Sequence, residues 1–132
     1  MKNIFKPGDI KTFSKEVTKE DTATFDSGQV HPLYGTFALA RDAEWVGRLF
    51  VLDLKDDDEE GIGNSIILEH LAPVKVGAKV DFTAKIKLID DNKIICNFEA
   101  KVGNTLIARG ETGQKVLKKD VVQKILDNAL VG

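Results

Sequence analysis

The chain has 132 residues, 42% hydrophobic and 30% charged, which is the size of a single domain over residues 1–132 with enough apolar material for a core and no fibrous or disordered bias. Nineteen Lys and Arg against 21 Asp and Glu leave a net charge of −2 with no long basic run, which argues against nucleic acid or an acidic membrane surface as partner. The longest apolar region, residues 45–54, is interrupted by Arg48 and Asp53 and falls short of the roughly 20 residues that cross a bilayer.

One cysteine, Cys96, leaves no internal disulfide, and the first residues lack the apolar stretch of a secretory leader, so the expected compartment is the reducing cytoplasm. Residues 9–18, with Phe13 and Val17, read as a first, irregular strand. Gly35-Thr36 then opens a helix over Phe37–Leu54, with the Thr36 hydroxyl expected to cap its first turn. Arg41, Glu44 and Arg48 form one polar stripe at spacings of three and four. The rest of the circumference is apolar, so the helix is expected to be buried over most of its surface.

The acidic run of residues 56–60 lacks the alternating ligands of a calcium loop and reads as a solvated loop, with no metal expected. Ser65–Leu71 is a short strand ended by Ala72-Pro73. The clearest pattern follows: Val80, Phe82, Ala84, Ile86 and Leu88 alternate with polar residues, as do Ile94, Cys96, Phe98, Ala100 and Val102 after the turn at Asp90-Asp91-Asn92. Leu106, Ala108, Gly110, Thr112, Gln114 and Val116 form one face of a third strand after Gly103-Asn104, completing an antiparallel meander. Residues 120–130 carry Val121, Val122, Ile125, Leu126 and Ala129 at helical spacing behind an Asp120 cap, a short helix expected to pack on the body.

A helix apolar nearly all round needs cover on several sides, which a curved antiparallel sheet wrapped about it supplies. The expected fold class is therefore α+β, resembling the hotdog architecture. Its sheet would keep an open edge, and a chain of this length buries only about two thirds of its unfolded surface, so a homodimer is expected, with a tetramer left open.

Ser-His-Asp spacing, cysteine pairs and glycine-rich phosphate loops are absent, which leaves polar residues in apolar surroundings. His70 shares a strand face with Ile66 and Leu68, so it is either a hydrogen-bonded core histidine or a reactive one. Glu44 is either a carboxyl of raised pKa beside Trp45 or one member of an Arg41–Arg48 salt-bridge stripe. Thr36 is a cap, or a hydroxyl where helix amides hold a developing oxyanion. Cys96 points along a core face, and Tyr34 and Trp45 read as core aromatics or channel lining.

Taken together, Leu33-Tyr34-Gly35-Thr36, Glu44-Trp45, Gly63 seven residues before His70, and Leu71-Ala72-Pro73-Val74-Lys75-Val76-Gly77 resemble the hotdog thioesterases of the fluoroacetyl-CoA thioesterase type, over about residues 15–117. The resemblance implies hydrolysis of an acyl-CoA thioester at a site shared across a dimer, with no cofactor beyond the CoA of the substrate. It places Thr36, Glu44 and His70 in the catalytic positions and Gly63 at the acyl end, and it implies substrate contacts at Tyr34, Gly35 and Trp45. Asp21-Thr22-Ala23 and Ser27-Gly28 also look like the related general thioesterase group. Two departures leave specialised fluoroacetyl selectivity unimplied and point to a broader or different acyl group: Arg41-Asp42 stands in a helix turn that is usually apolar, and Gly110-Glu111-Thr112-Gly113-Gln114 stands where the family often has a basic or histidine-bearing stretch. Two other readings belong beside this one: a non-catalytic acyl-CoA binder, and a hydratase of the same fold using Asp26 and His31, five residues apart.

Overall fold

The computed structural model describes residues 1–132. In chain order it contains β1 (Ile10–Glu16), a single 3-10 turn (Lys19–Asp21), β2 (Thr22–Phe25), β3 (Gly28–Tyr34), α1 (Thr36–Leu54), β4 (Glu59–His70), β5 (Lys79–Asp90), β6 (Lys93–Val102), β7 (Thr105–Lys118) and α2 (Lys119–Asp127). Five strands form one antiparallel sheet in the order β1-β5-β6-β7-β4, and β2 and β3 form a separate hairpin. The long helix α1 lies against every strand of the large sheet, which is the expected α+β hotdog arrangement. No helix is long and apolar enough to cross a membrane.

The meander forms as its alternation predicts. Val80, Phe82, Ala84 and Ile86 of β5 and Ile94, Cys96, Phe98 and Ala100 of β6 are buried against α1. Burial raises the Cys96 thiol to about 12, so it serves as a small apolar core residue. Strict alternation fails at two places, both where a bulge adds a residue to the ladder. The shift between Ile86 and Leu88 turns Leu88 outward, to 42% exposure, and Ile89 packs on the core instead. The shift between Ala100 and Lys101 makes Ile107, rather than Leu106, the buried residue at the start of β7.

The helix departs from expectation at both its start and its surface. Gly35 is the N-cap and Thr36 the first helical residue, so the Thr36 hydroxyl is released from capping. Only one face of α1 is buried in the single chain, through Ala38, Leu39, Ala43, Val46, Phe50, Val51 and Leu54. Phe37, Glu44, Trp45 and Leu52 are exposed. The close approach of α1 to β7 rests on Gly47, where a Cβ would come within 2.8 Å of the Thr112 hydroxyl.

Three further expectations are corrected by long-range pairing. The strand expected at Ser65–Leu71 begins at Glu59, inside the acidic run, because residues 59–70 pair with β7. Only Asp56–Asp58 remain outside helix and strand, and the Glu59 carboxylate is buried where it accepts the Asp56 N–H. The terminal helix forms, yet no residue of α2 is buried and Lys118, not Asp120, occupies its N-cap position. The β2–β3 hairpin, unread from the sequence, turns at Asp26-Ser27 with Gly28 at φ +107°.

The chain leading into α1 is held from two sides. Tyr34 N–H donates to the Val74 carbonyl at 2.9 Å, and Gly35 N–H donates to the Asp21 carbonyl at 2.8 Å. Beneath them the fully buried Tyr34 hydroxyl donates to the Asp42 carboxylate, which also accepts from Arg41. Arg41 reaches on to Asp21 at 2.8 Å, with Lys15 at 3.3 Å from the same carboxylate. Burial opposes the Asp21 charge, but Arg41, Thr18 and Lys15 outweigh it and hold the carboxyl down to about 2. Burial and the Asp42 charge push the Tyr34 phenol well above its ordinary value, so it stays a donor. Removing that donor in Tyr34→Phe should cost about 1–3 kcal/mol, read as a lower urea midpoint with an unchanged slope.

Candidate active site

Two pairs of the candidate residues come together in the single chain. The first is Thr36 and His70: releasing the hydroxyl from capping lets Thr36 Oγ1 stand 3.0 Å from His70 Nδ1, at the end of β4. His70 is half-buried, and its Nε2 is enclosed without a hydrogen-bond partner. Burial lowers the imidazole pKa below its ordinary value; the backbone at Ala72 opposes this and His31 adds to it. His70 in the single chain is thus a neutral imidazole at physiological pH, joined to a hydroxyl at one nitrogen and enclosed without a partner at the other.

The second pair is Glu44 and Gly63. A Cβ at Gly63 would overlap Glu44 Oε1, so the missing side chain makes the seat for that carboxylate on β4. Glu44 takes no part in the expected salt-bridge stripe: Arg41 pairs with Asp21 and Asp42, and Arg48 pairs with Glu60 at 2.8 Å. Because the Glu44 carboxylate is the end of a flexible side chain, Gly63→Ala should displace it without unfolding the protein. The expected result is a melting temperature near wild type, read by thermal denaturation of the two proteins side by side.

The two pairs are far apart within one chain. Thr36 and Glu44 are separated by about 12 Å along α1, and Gly63 and His70 by roughly 20 Å along β4. Trp45, next to Glu44, is 40% exposed rather than in the core. Tyr34 is a core residue whose hydroxyl is engaged by Asp42, and Gly35 contributes the helix N-cap. Arg41 and Asp42 are turned into the network with Asp21, away from Thr36 and His70. Gln114 is buried, facing α1 at Gly47.

Two cavities meet at Thr36. One, about 450 Å³, is mostly apolar and lies between the hairpin, α1 and β4, walled by Phe25, Val30, Phe37, Ala40, Ile66 and Leu68 among others. The other, about 290 Å³, lies beside His70 under Leu71, Ala72 and Pro73. His31 and Thr36 line both. The hairpin wall was missed in the sequence; its available signal was the Asp26-Ser27-Gly28 turn between Phe25 and Val30. Asp26 sits at that turn and His31 accepts the Leu33 N–H through Nδ1 at 3.2 Å, so these two do not form a hydrogen-bonded pair. No group of three His, Cys, Asp or Glu side chains is placed to hold a metal ion.

A helix wrapped by an antiparallel sheet is the hotdog arrangement, and here it carries a Thr–His pair at the helix start and a carboxylate seated on a glycine. The family model for FlK, fluoroacetyl-CoA-specific thioesterase, matches residues 17–120, and the chain belongs to that family of acyl-CoA thioesterases. A Thermus thermophilus hypothetical protein, a thioesterase superfamily member, is 31% identical, covering 95% of this chain and 93% of its own, with a TM-score of 0.90. The fluoroacetyl-CoA thioesterase FlK shares the fold at 16% identity, with 96% of this chain and 98% of that one covered and a TM-score of 0.87. A variant of it solved with fluoroacetate and CoA is 19% identical, covering 89% and 99%, with a TM-score of 0.79. No curated protein sequence matches the chain.

Proposed function

We propose that this protein hydrolyses an acyl-CoA thioester to the free acid and CoA at a site completed by a second copy of the chain, with Thr36, His70 and Glu44 as its reacting and orienting groups. The observation that carries the reading is the Thr36–His70 hydrogen bond beside an enclosed, unpartnered His70 Nε2, at the mouth of an apolar cavity. The acyl chain fits the cavity between Phe25, Val30, Phe37 and Ile66, and the pantetheine thiol side fits the cavity by Pro73. That a structural relative is solved with fluoroacetate and CoA supports the assignment of substrate class.

The neutral His70 takes the proton as an oxygen, from water or from Thr36, adds to the thioester carbonyl carbon. The first-turn amides of α1, unpartnered within the helix, stabilise the resulting oxyanion. Collapse of the tetrahedral intermediate breaks the C–S bond and the thiolate recovers the proton from the imidazolium. Where Thr36 is the attacking group, water then cleaves the acyl-enzyme by the same route.

Glu44 lies too far from His70 in its own chain to take part. The open edge of β4 offers the remedy. Antiparallel pairing of two β4 strands about a two-fold axis between Ile66 and Ile67 sets Gly63 opposite His70 of the second copy, because the two positions are equally distant from that midpoint. Glu44 of one copy would then lie beside His70 of the other, whose Nε2 has no partner within its own chain, and the exposed Phe37, Trp45, Ile66 and Ile67 would be covered in the same step.

The test is thiol release from acyl-CoAs running from acetyl through short branched and aromatic to long chain, with His70→Ala in parallel. Release lost in the variant supports the reading. Ligand-dependent stabilisation without release from any member would place the protein in the binding class instead. Arg41 and Asp42, the charged pair in the helix turn that is usually apolar, are already occupied by Asp21 and Tyr34.

A further inference from the structure

The hydrolase reading leaves one residue at the junction of the two cavities without a role. His31 lines both the apolar cavity and the His70-side cavity, and Thr36 is the only other side chain shared between them. A thioester with its acyl group in the first cavity and its sulfur in the second must place its carbonyl at that junction. Thr36 and His31 are then the two side chains that line both parts of the substrate's path.

The tautomer of His31 follows from its own strand. Its Nδ1 accepts the Leu33 backbone N–H at 3.2 Å, so in the neutral ring the proton resides on Nε2. That Nε2 makes no hydrogen bond to the protein, and unlike His70 Nε2 it is not enclosed. The ring is half-buried and held by a backbone contact on β3, which is itself anchored through Tyr34 N–H to Val74. A donor fixed in tautomer and orientation, free at its outer nitrogen and placed where two parts of the substrate meet, is what stabilising a developing oxyanion requires.

We propose that His31 is a further catalytic residue, whose Nε2–H donates a hydrogen bond to the thioester oxygen and to the oxyanion formed from it. The inference rests on the hydrolase reading above. It adds a side-chain donor at the junction to the α1 amides.

Three substitutions test it, in the full-length protein with the acyl-CoA that the panel shows to be turned over fastest. His31→Phe keeps the ring and removes the donor. His31→Asn keeps an acceptor for Leu33 N–H but cannot reach the junction, and His31→Gln places an amide N–H near the position of Nε2. The expected result is a kcat lowered roughly 10- to 100-fold in the Phe and Asn variants with KM changed less than about threefold, and recovery to within about fivefold of wild type in the Gln variant. Wild-type kcat in His31→Phe, or an equal loss in all three variants, would overturn the proposal while leaving the hydrolase reading standing. A wild-type protein that releases thiol from no acyl-CoA would overturn both.

Discussion

His70→Ala is expected to lower kcat for acyl-CoA hydrolysis by about 10²- to 10⁴-fold, the range supplied by a positioned general base. The side chain is half-buried at the last position of β4, and truncation leaves the β4–β7 ladder intact, so the variant should fold and melt within a few degrees of wild type. The loss is assigned to chemistry because His70 Nδ1 is the hydrogen-bond partner of Thr36 Oγ1, while its Nε2 has none within the chain. A pH profile provides the second reading. Burial lowers the His70 pKa within one chain, a Glu44 carboxylate from the second copy would raise it, and the neutral imidazole is the active form, so the acid limb should move to lower pH when Glu44 is replaced by Gln. An acid limb unmoved by Glu44→Gln would take Glu44 away from His70, and undiminished activity in a folded His70→Ala protein would remove His70 from the role of base.

The second large effect is a recovery. Glu44→Ala and His70→Ala proteins should each be inactive alone, yet mixing them under conditions of subunit exchange should restore about a quarter of wild-type activity. In the mixed dimer one site carries both substitutions. The other combines an intact Thr36–His70 pair with an intact Glu44 from the opposite copy. With half of the dimers mixed and one good site in each, the quarter follows. The physical basis is distance: Glu44 is seated on Gly63, roughly 20 Å along β4 from His70. If subunits exchange, as followed with a tagged copy, and no activity returns, the site is not shared in this way. A monomer in sedimentation at assay concentration would lead to the same conclusion.

The candidate residues were singled out by the resemblance that their spacing carries: eight residues from Thr36 to Glu44, seven from Gly63 to His70, then the Pro73–Gly77 loop. Their grouping was not legible. Thr36 as a helix cap and Glu44 within a salt-bridge stripe were the simplest local readings, and both gave way to partners distant in sequence. His70 takes the Thr36 hydroxyl, Asp21 and Asp42 take Arg41, Glu60 takes Arg48, and Gly63 seats Glu44.

The amino-acid sequence by itself determined the hotdog class, the alternation of β5, β6 and β7 and the span of α1, because a period of two or 3.6 residues records which face is buried and needs only neighbouring residues to be read. Tertiary structure alone decided what bulges and cross-chain pairing control. It started β4 at Glu59, turned Leu88 outward, folded residues 22–34 into the hairpin that walls the apolar cavity, and placed His31 beside Thr36. Backbone hydrogen bonds formed at long range set those positions, and they carry no signature in local composition.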